Sequence, residues 1–310
     1  MLPYYGLLTL AVVMFGVQFF FNDKYQRAEG NGAYATFLFT LAGSAVGIVC
    51  LAFISGFDFS LTPFALLWSA VVAINNLLFT LCALKALERV NLSMFSLFSM
   101  LGGMLLPFLA GLIFYGEDMT VGKGVCIVLI TVALAMTVTP KRATTDGAMA
   151  EKRELGATVR GAFAGFVSGG GLYYVGVFVL NGMCGVLTKI YEDATLPKVG
   201  AATFSLWVAI VSAVISGAAL LFLRRSWRRP SLSSLLIGAS GGAIEKIANY
   251  LLLIALAVLP ASVQYPFITG GVMIVSTLFA YLTPAKPKPR ELWAIAVSFI
   301  GLLALVLIPV

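Results

Sequence analysis

The chain is a succession of ten apolar runs, each closed by a short polar break. The runs fall at approximately 4–23, 33–55, 63–86, 92–115, 119–139, 163–188, 200–223, 233–257, 261–283 and 291–309. A helix needs about 20 apolar residues to cross roughly 30 Å of hydrocarbon, and the runs have that length. Only 11% of residues are charged and 60% are hydrophobic, whereas a soluble domain is about a quarter charged. The pattern predicts an all-α integral membrane protein with ten transmembrane helices. The opening MLPYYGLL has no basic segment and no small-residue cleavage site, so the first run is expected to stay as a span.

The net charge of +7 resides mainly in the polar breaks, which argues against a nucleic-acid partner and for a lipid bilayer. Sixteen of the twenty Lys and Arg residues lie in the odd-numbered breaks, and only Lys123, Lys189 and Lys198 in the even ones. The positive-inside rule then puts the odd loops in the cytoplasm and both termini outside it, in a multi-pass inner or plasma membrane protein. The chain has no histidine, so the commonest metal ligand and near-neutral proton carrier is missing. Cys50, Cys82, Cys126 and Cys184 stand singly in apolar runs and read as small packing residues. No metal site, cofactor motif or catalytic constellation is expected, and with them no enzyme.

Two halves of the chain echo each other. ATFLF at Ala35–Phe39 matches ATFSL at Ala202–Leu206, 167 residues on. The pair Gly102–Gly103 matches Gly270–Gly271 at 168, and KALERVNLS ending at Ser93 matches IALAVLPAS ending at Ser262 at 169. Two units of five spans follow: 1–140, a basic cytoplasmic linker 141–160, and 161–310. Five is odd, so the second unit enters the membrane from the opposite side. Inverted-topology repeats place a site near the midplane, in a central cavity between the halves. Ten spans already supply both halves, so a monomer or weak homodimer suffices.

The five-plus-five layout, the segment FYGEDMTVGKGVCIVLITVALAM around Gly116–Glu117 and the last span ELWAIAVSFIGLLALVL together resemble the drug/metabolite transporter superfamily, EamA type. The resemblance covers essentially the whole chain. It implies ten helices in an inverted pseudo-twofold, a central cavity, and movement of small metabolites by alternating access. Many members carry their arginines between spans two and three. Here that loop, SGFDFSLTP, has none, while LRRSWRRP between spans seven and eight has four, so the opposite orientation is expected.

Polar groups inside the spans mark the candidate site. A charge at the centre of a span costs roughly 2.5–3.5 kcal/mol on insertion scales, so it usually faces a cavity or a partner. Glu245 and Lys246 lie in the middle of span eight. Adjacent helical residues point about 100° apart, which predicts that the two do not pair on one face. Glu245 shares its stripe with Gly238, Gly242 and Asn249, the small and polar composition of a cavity wall. At an offset of 169, Asn76 and Thr80 of span three correspond to Glu245 and Asn249. Gln18 and Asn22 on span one, Asn181 on span six, and Gln264 and Tyr265 on span nine complete the expected substrate-binding set. Asp23 and Lys24 are expected at the lipid headgroups. Gly43 and Gly47 form a GxxxG pair for close helix contact, and the Gly102–Gly103 and Gly270–Gly271 pairs read as packing positions or hinges.

These features favour a secondary transporter of a small polar metabolite. Glu245 would bind a cationic group or carry a proton, exchanging one for the other. Tyr173, Tyr174, Tyr250 and Tyr265 offer faces to an ammonium group, which weakly favours an amine, quaternary ammonium or amino-acid-like substrate. If Lys246 faced the cavity instead, a small organic anion would be favoured. A receptor or assembly subunit that binds without transporting is the remaining alternative.

Overall fold

The structure, a computed structural model, describes residues 2–89, 92–114, 119–138, 171–223, 230–283 and 286–308. Gly116–Glu117, Pro140, the linker 141–160, the glycines at 169 and 170, and Arg224, Arg225, Arg228 and Arg229 lie outside the described residues. Among the described residues there are ten α-helices and no strand. They are α1 Leu2–Glu29, α2 Ala33–Ile54, α3 Pro63–Leu87, α4 Leu92–Phe114, α5 Val121–Val138, α6 Gly171–Asp193, α7 Ala201–Phe222, α8 Leu232–Leu256, α9 Ala261–Ala280 and α10 Pro289–Leu307. Seven of these (α1, α2, α3, α6, α7, α8 and α9) are long and apolar enough to cross a bilayer. The chain is an all-α, multi-pass membrane protein.

Local chemistry sets the helix starts. Thr62 accepts a bond from the Ala65 N–H at 3.1 Å, with Pro63 in the first turn. Ser231 does the same for the Ser234 N–H at 3.1 Å. These caps satisfy donors that the helix itself leaves open. The surface is apolar where lipid would lie: Phe222 is 90% exposed and Leu221 70%. The interior is correspondingly rich in Ser, Thr, Asn and Gln, with Gln264, Ser44, Ser69 and Ser276 fully buried. In a medium without water these groups gain most from turning towards protein.

The principal packed pairs are α4–α6, α1–α9, α2–α8, α3–α7, α1–α8, α3–α6, α5–α10, α2–α7 and α4–α9. Exchanging each of the first five helices with the one five places later maps this set onto itself. Small residues sit at the crossings. A Cβ on Gly43 of α2 would lie 2.4 Å from the Gly242 Cα of α8. A Cβ on Gly102 of α4 would lie 1.9 Å from the Phe178 oxygen of α6. At the exchange-related crossing, a Cβ on Gly271 of α9 would lie 2.7 Å from Val12 of α1. Gly43, Gly102 and Gly271 are packing positions in this structure.

The helix ends repeat a device as well. Tyr25, near the end of α1, donates its hydroxyl to the Ala35 carbonyl of α2 at 2.9 Å. Tyr191, 166 residues later near the end of α6, donates to the Val199 carbonyl at 2.9 Å, just before α7. Between α2 and α3 the chain turns through Phe57 at φ 60, a left-handed conformation that a side chain adopts at a cost. Asp58 holds this turn to the start of α7 by accepting from the Thr203 hydroxyl at 2.8 Å and the Ser60 N–H at 2.9 Å. The Ser60 N–H, then the Thr203 and Ser60 hydroxyls, hold the Asp58 carboxyl below its ordinary range, because each bond favours the ionised form.

Helix α1 continues past the expected boundary at residue 23 to Glu29, and this overturns one expectation. Asp23 is not at the lipid headgroups: it is 1% exposed and takes a two-pronged pair from Arg27 at 2.8 and 3.0 Å. The extra helical turn lets Arg27 reach back four residues and keep the carboxylate under the bundle. Lys24 does face outwards, its ammonium 4.6 Å from the Phe20 ring centroid.

The Gly43–Gly242 crossing leaves no room for a side chain. Gly43→Leu should cost more than the roughly 1–3 kcal/mol of ordinary overpacking, because backbone, not a flexible side chain, must move. Size-exclusion yield and unfolding temperature in detergent measure this. Gly6→Ala, where no atom lies within 4 Å of the added Cβ, should leave both unchanged.

Candidate functional site

A cavity opens at the centre of the bundle between α1, α3, α4, α6, α8 and α9. It offers about 70 Å³ to the centres of water-sized spheres, room for a few waters at roughly 10–15 Å³ each. Its wall comes from equivalent positions of the two halves. Phe15, Gln18 and Phe19 of α1 line it, and so do Asn181, Cys184 and Gly185 of α6, each 166 residues further on. Asn76 of α3 is answered by Glu245 of α8 at 169, and Met100 of α4 by Ile268 of α9 at 168. Phe79, Gly103, Asn249, Leu252, Tyr265 and Thr269 complete the lining. The halves contribute the same places but different chemistry. Where the first half presents two phenylalanines and a neutral amide, the second presents an amide, a glycine and a carboxylate.

Several of these groups are fixed by bonds to backbone carbonyls. Asn181 donates to the Ser99 oxygen of α4 at 2.7 Å, and Gly103 leaves the space for it, since a Cβ there would lie 2.5 Å from the Asn181 amide nitrogen. Tyr265 donates to the Gly185 oxygen of α6 at 2.9 Å. Asn249 donates to the Glu245 carbonyl of its own helix at 2.9 Å. Outside the cavity, Asn75 and Trp68 of α3 donate to the Leu180 and Leu187 oxygens of α6 at 3.0 and 2.8 Å, fastening the wall behind it.

Glu245 is 9% exposed and Lys246 6%, and they do pair. The Lys246 Nζ lies 3.3 Å from the Glu245 Oε1. The expectation that neighbours on a helix would not meet is corrected by side-chain length. The two Cβ atoms diverge, but a four-carbon stem lets the ammonium curl back to the carboxylate. The stem lies against α2, where a Cβ on Gly47 would be 3.0 Å from the Lys246 Cγ. Lys246 lines a second, smaller cavity of about 30 Å³ with Val72, Asn76, Cys184, Thr188, Phe204, Ser205, Val208, Asn249 and Leu253. Asn76, Cys184 and Asn249 belong to both walls.

Of the residues expected from sequence, Gln18, Asn76, Asn181, Glu245, Asn249 and Tyr265 meet in the central cavity. The others lie elsewhere. Thr80 is buried and bonds back to the Asn76 carbonyl at 2.9 Å. Asn22, one turn beyond Gln18, is 2% exposed and its Oδ1 has no hydrogen-bond partner. Gln264 is fully buried, gives its amide to the Leu252 oxygen at 2.9 Å and leaves its own oxygen unpartnered. Lys246 faces the side cavity. The tyrosines divide too. Tyr265 reaches the cavity, Tyr173 lies under Lys85 at 4.9 Å, Tyr174 stacks on Phe98 and Tyr250 packs against Leu51 and Leu206. Phe15, Phe19 and Phe79 supply aromatic faces in their place. Sequence reasoning passed over these three, although Phe15 lies three residues before Gln18 and four before Phe19, at helical spacing. Among the described residues no group of three His, Cys, Asp or Glu is placed to hold a metal.

No protein-family model and no curated protein matches this chain. Its fold is nevertheless shared with solved structures. One crystal structure, described only as that of a protein, is similar to it with a TM-score of 0.62 over 97% of this chain and 98% of the other, at 15% identity. At that identity the likeness is one of fold, and it extends from end to end of both chains.

Proposed function

We propose that this chain is a secondary transporter that moves a small polar metabolite across the membrane by alternating access. In this reading all ten helices cross the bilayer as two inverted repeats of five, 1–140 and 161–310, and the substrate binds between them. The observation that carries it is the position of Glu245. It stands on the wall of a central cavity whose other walls come from matched positions of the two halves. A site between pseudosymmetric halves can be opened to either side by rocking one against the other. The exchange-symmetric packing of the helices supports the same reading, as does the resemblance to EamA-type transporters.

The chemistry of the wall favours a substrate bearing an ammonium group. One carboxylate lies in an enclosure with aromatic faces from Phe15, Phe19, Phe79 and Tyr265, groups that attract a cation electrostatically. Gln18, Asn76 and Asn181 offer amides for the polar remainder of the molecule. A carboxylate that binds a cation can also carry a proton in exchange, so Glu245 is the coupling residue of this reading. No part of the mechanism calls for a metal or an organic cofactor.

Screening a metabolite library by thermal shift on the purified protein, followed by proteoliposome uptake of the hits, tests the proposal. Uptake should saturate, and Glu245→Gln should lower it at least about 10-fold, the loss of one charge-assisted contact, while the protein stays monodisperse. Binding without flux would make the protein a receptor. Anionic hits that survive Glu245→Gln and fail with Lys246→Gln would assign the site to Lys246 instead.

The loop charges give an independent prediction. A reporter active only outside the cytoplasm, fused to the C-terminus, should be active, and one inserted after Arg89 should be silent. The reverse pattern would place the termini in the cytoplasm, as in many EamA-type relatives.

A further inference from the structure

We propose that Lys246 is the resident counter-ion of Glu245. It balances the carboxylate from the side-cavity face while the central cavity is empty and withdraws deeper into the side cavity when a cation takes its place. This rests on the reading of Glu245 as the residue that receives a cationic group.

The ammonium group is paired and has room beside it in the same pose. The Lys246 Nζ stands 3.3 Å from the Glu245 Oε1. The room is the side cavity that Lys246 itself lines, with Asn76, Thr188, Ser205 and Asn249 as polar neighbours. Its volume of about 30 Å³ accommodates a group the size of a water or two, and an ammonium head is of that size. Asn76, Cys184 and Asn249 line both cavities, so the two cavities adjoin at the pair, and rotation of the lysine stem draws its head away from Glu245 into the side cavity. Gly47 provides the stem with its slot against α2.

Charge balance gives the arrangement its use. A lone carboxylate in a cavity of low dielectric is costly, and a carrier would have to fill it with a substrate or a proton before turning. With Lys246 on Glu245 the empty cavity is neutral and is free to turn without any cargo. An incoming cation competes with an ammonium that is already tethered there, which weakens its binding and speeds its release. Glu245 lines the central cavity even while paired with Lys246, so an incoming cation meets a carboxylate whose charge is already balanced until Lys246 withdraws.

Cys184 reports this state without any knowledge of the substrate, because its side chain is part of both walls. With Cys50, Cys82 and Cys126 replaced by alanine, the rates at which Cys184 reacts with neutral methyl methanethiosulfonate, its cationic 2-aminoethyl analogue and its anionic 2-sulfonatoethyl analogue are measured in detergent. Lys246→Met should raise the cation-to-neutral rate ratio at least about 10-fold, since an unpaired carboxylate on the same cavity wall attracts a cation strongly at an effective dielectric of about 20. Lys246→Arg should keep the original ratio, and adding Glu245→Gln to Lys246→Met should restore it. Lys246→Gln serves if the methionine variant fails to fold.

An unchanged or lower ratio in the Lys246 variants overturns the proposal. So does a preference for the anionic reagent that vanishes with Lys246, which would make the lysine an anion site. Failure of all three reagents to reach Cys184 also overturns it, because a cavity closed to small cations has no need of a competitor. Charge-selective labelling in a protein that shows no liposome flux would sink the transport reading and leave this one standing. Flux of an ammonium substrate with labelling indifferent to Lys246 would do the reverse.

Discussion

The ion pair between Glu245 and Lys246 stands in the middle of α8 with both side chains almost wholly withdrawn from solvent. Each charge alone in such a place would cost several kcal/mol, and the pair is tolerated because each satisfies the other. Much of the surrounding structure is arranged to make that possible. Gly43 and Gly242 let α2 and α8 touch backbone to backbone, and Gly47, one turn along, leaves the slot in which the lysine stem lies. A bulkier residue at any of the three would push α2 away and unseat the pair. Close helix contact and buried charge are one feature of this fold, not two.

Lipid cannot drive helices together as water does, so the bundle relies on shape and on bonds between helices. The glycine crossings at α2–α8, α4–α6 and α1–α9 provide the first. Asn75, Trp68, Asn181 and Tyr265 provide the second, each reaching a backbone carbonyl of a neighbouring helix. Three of those four bonds end on α6, which faces α3, α4 and α9 across or beside the cavity. The wall holding the candidate site is therefore fastened by side-chain bonds to neighbouring helices.

The two halves share positions and differ in chemistry. Phe15 and Asn181, Phe19 and Gly185, Asn76 and Glu245 are exchange-related pairs on one cavity wall. Helices packed in exchange-related pairs thus enclose an asymmetric field, with the carboxylate on one side and aromatic rings concentrated on the other. A ligand with a charged end and a neutral end would have one favoured orientation in it. Of the crossing residues, Gly102 and Gly271 answer to Gly270 and Gly103 at an offset of 168, whereas Gly43 and Gly242 answer to Ile210 and Ala73.

The helices were legible from the sequence because the length of an apolar run and the breaks around it are local properties. The ends agree to a few residues except at two helices. In α1, Asp23 and Arg27 mimic a polar break but are joined by an i, i+4 pair that prolongs the helix. Helix α6 runs past the expected end at 188 to Asp193, and its expected start at 163 lies outside the described residues. Six of the ten expected site residues meet in the cavity, since polar groups in hydrocarbon are few and most need protein around them. Thr80, Asn22 and Gln264 obeyed the same rule and turned to backbone or to buried space instead, a choice that composition does not encode. Phe15, Phe19 and Phe79 were invisible because a phenylalanine facing a cavity and one facing lipid have the same sequence signature. The sequence by itself determined that the chain is a helical membrane protein with a carboxylate and an ammonium buried in one helix. Only the tertiary structure decided that those charges meet, and that Glu245 faces the central cavity while Lys246 faces its annex. That outcome depends on how close α2 comes to α8 and on which rotamer the long lysine adopts, neither of which the order of residues along one helix can specify.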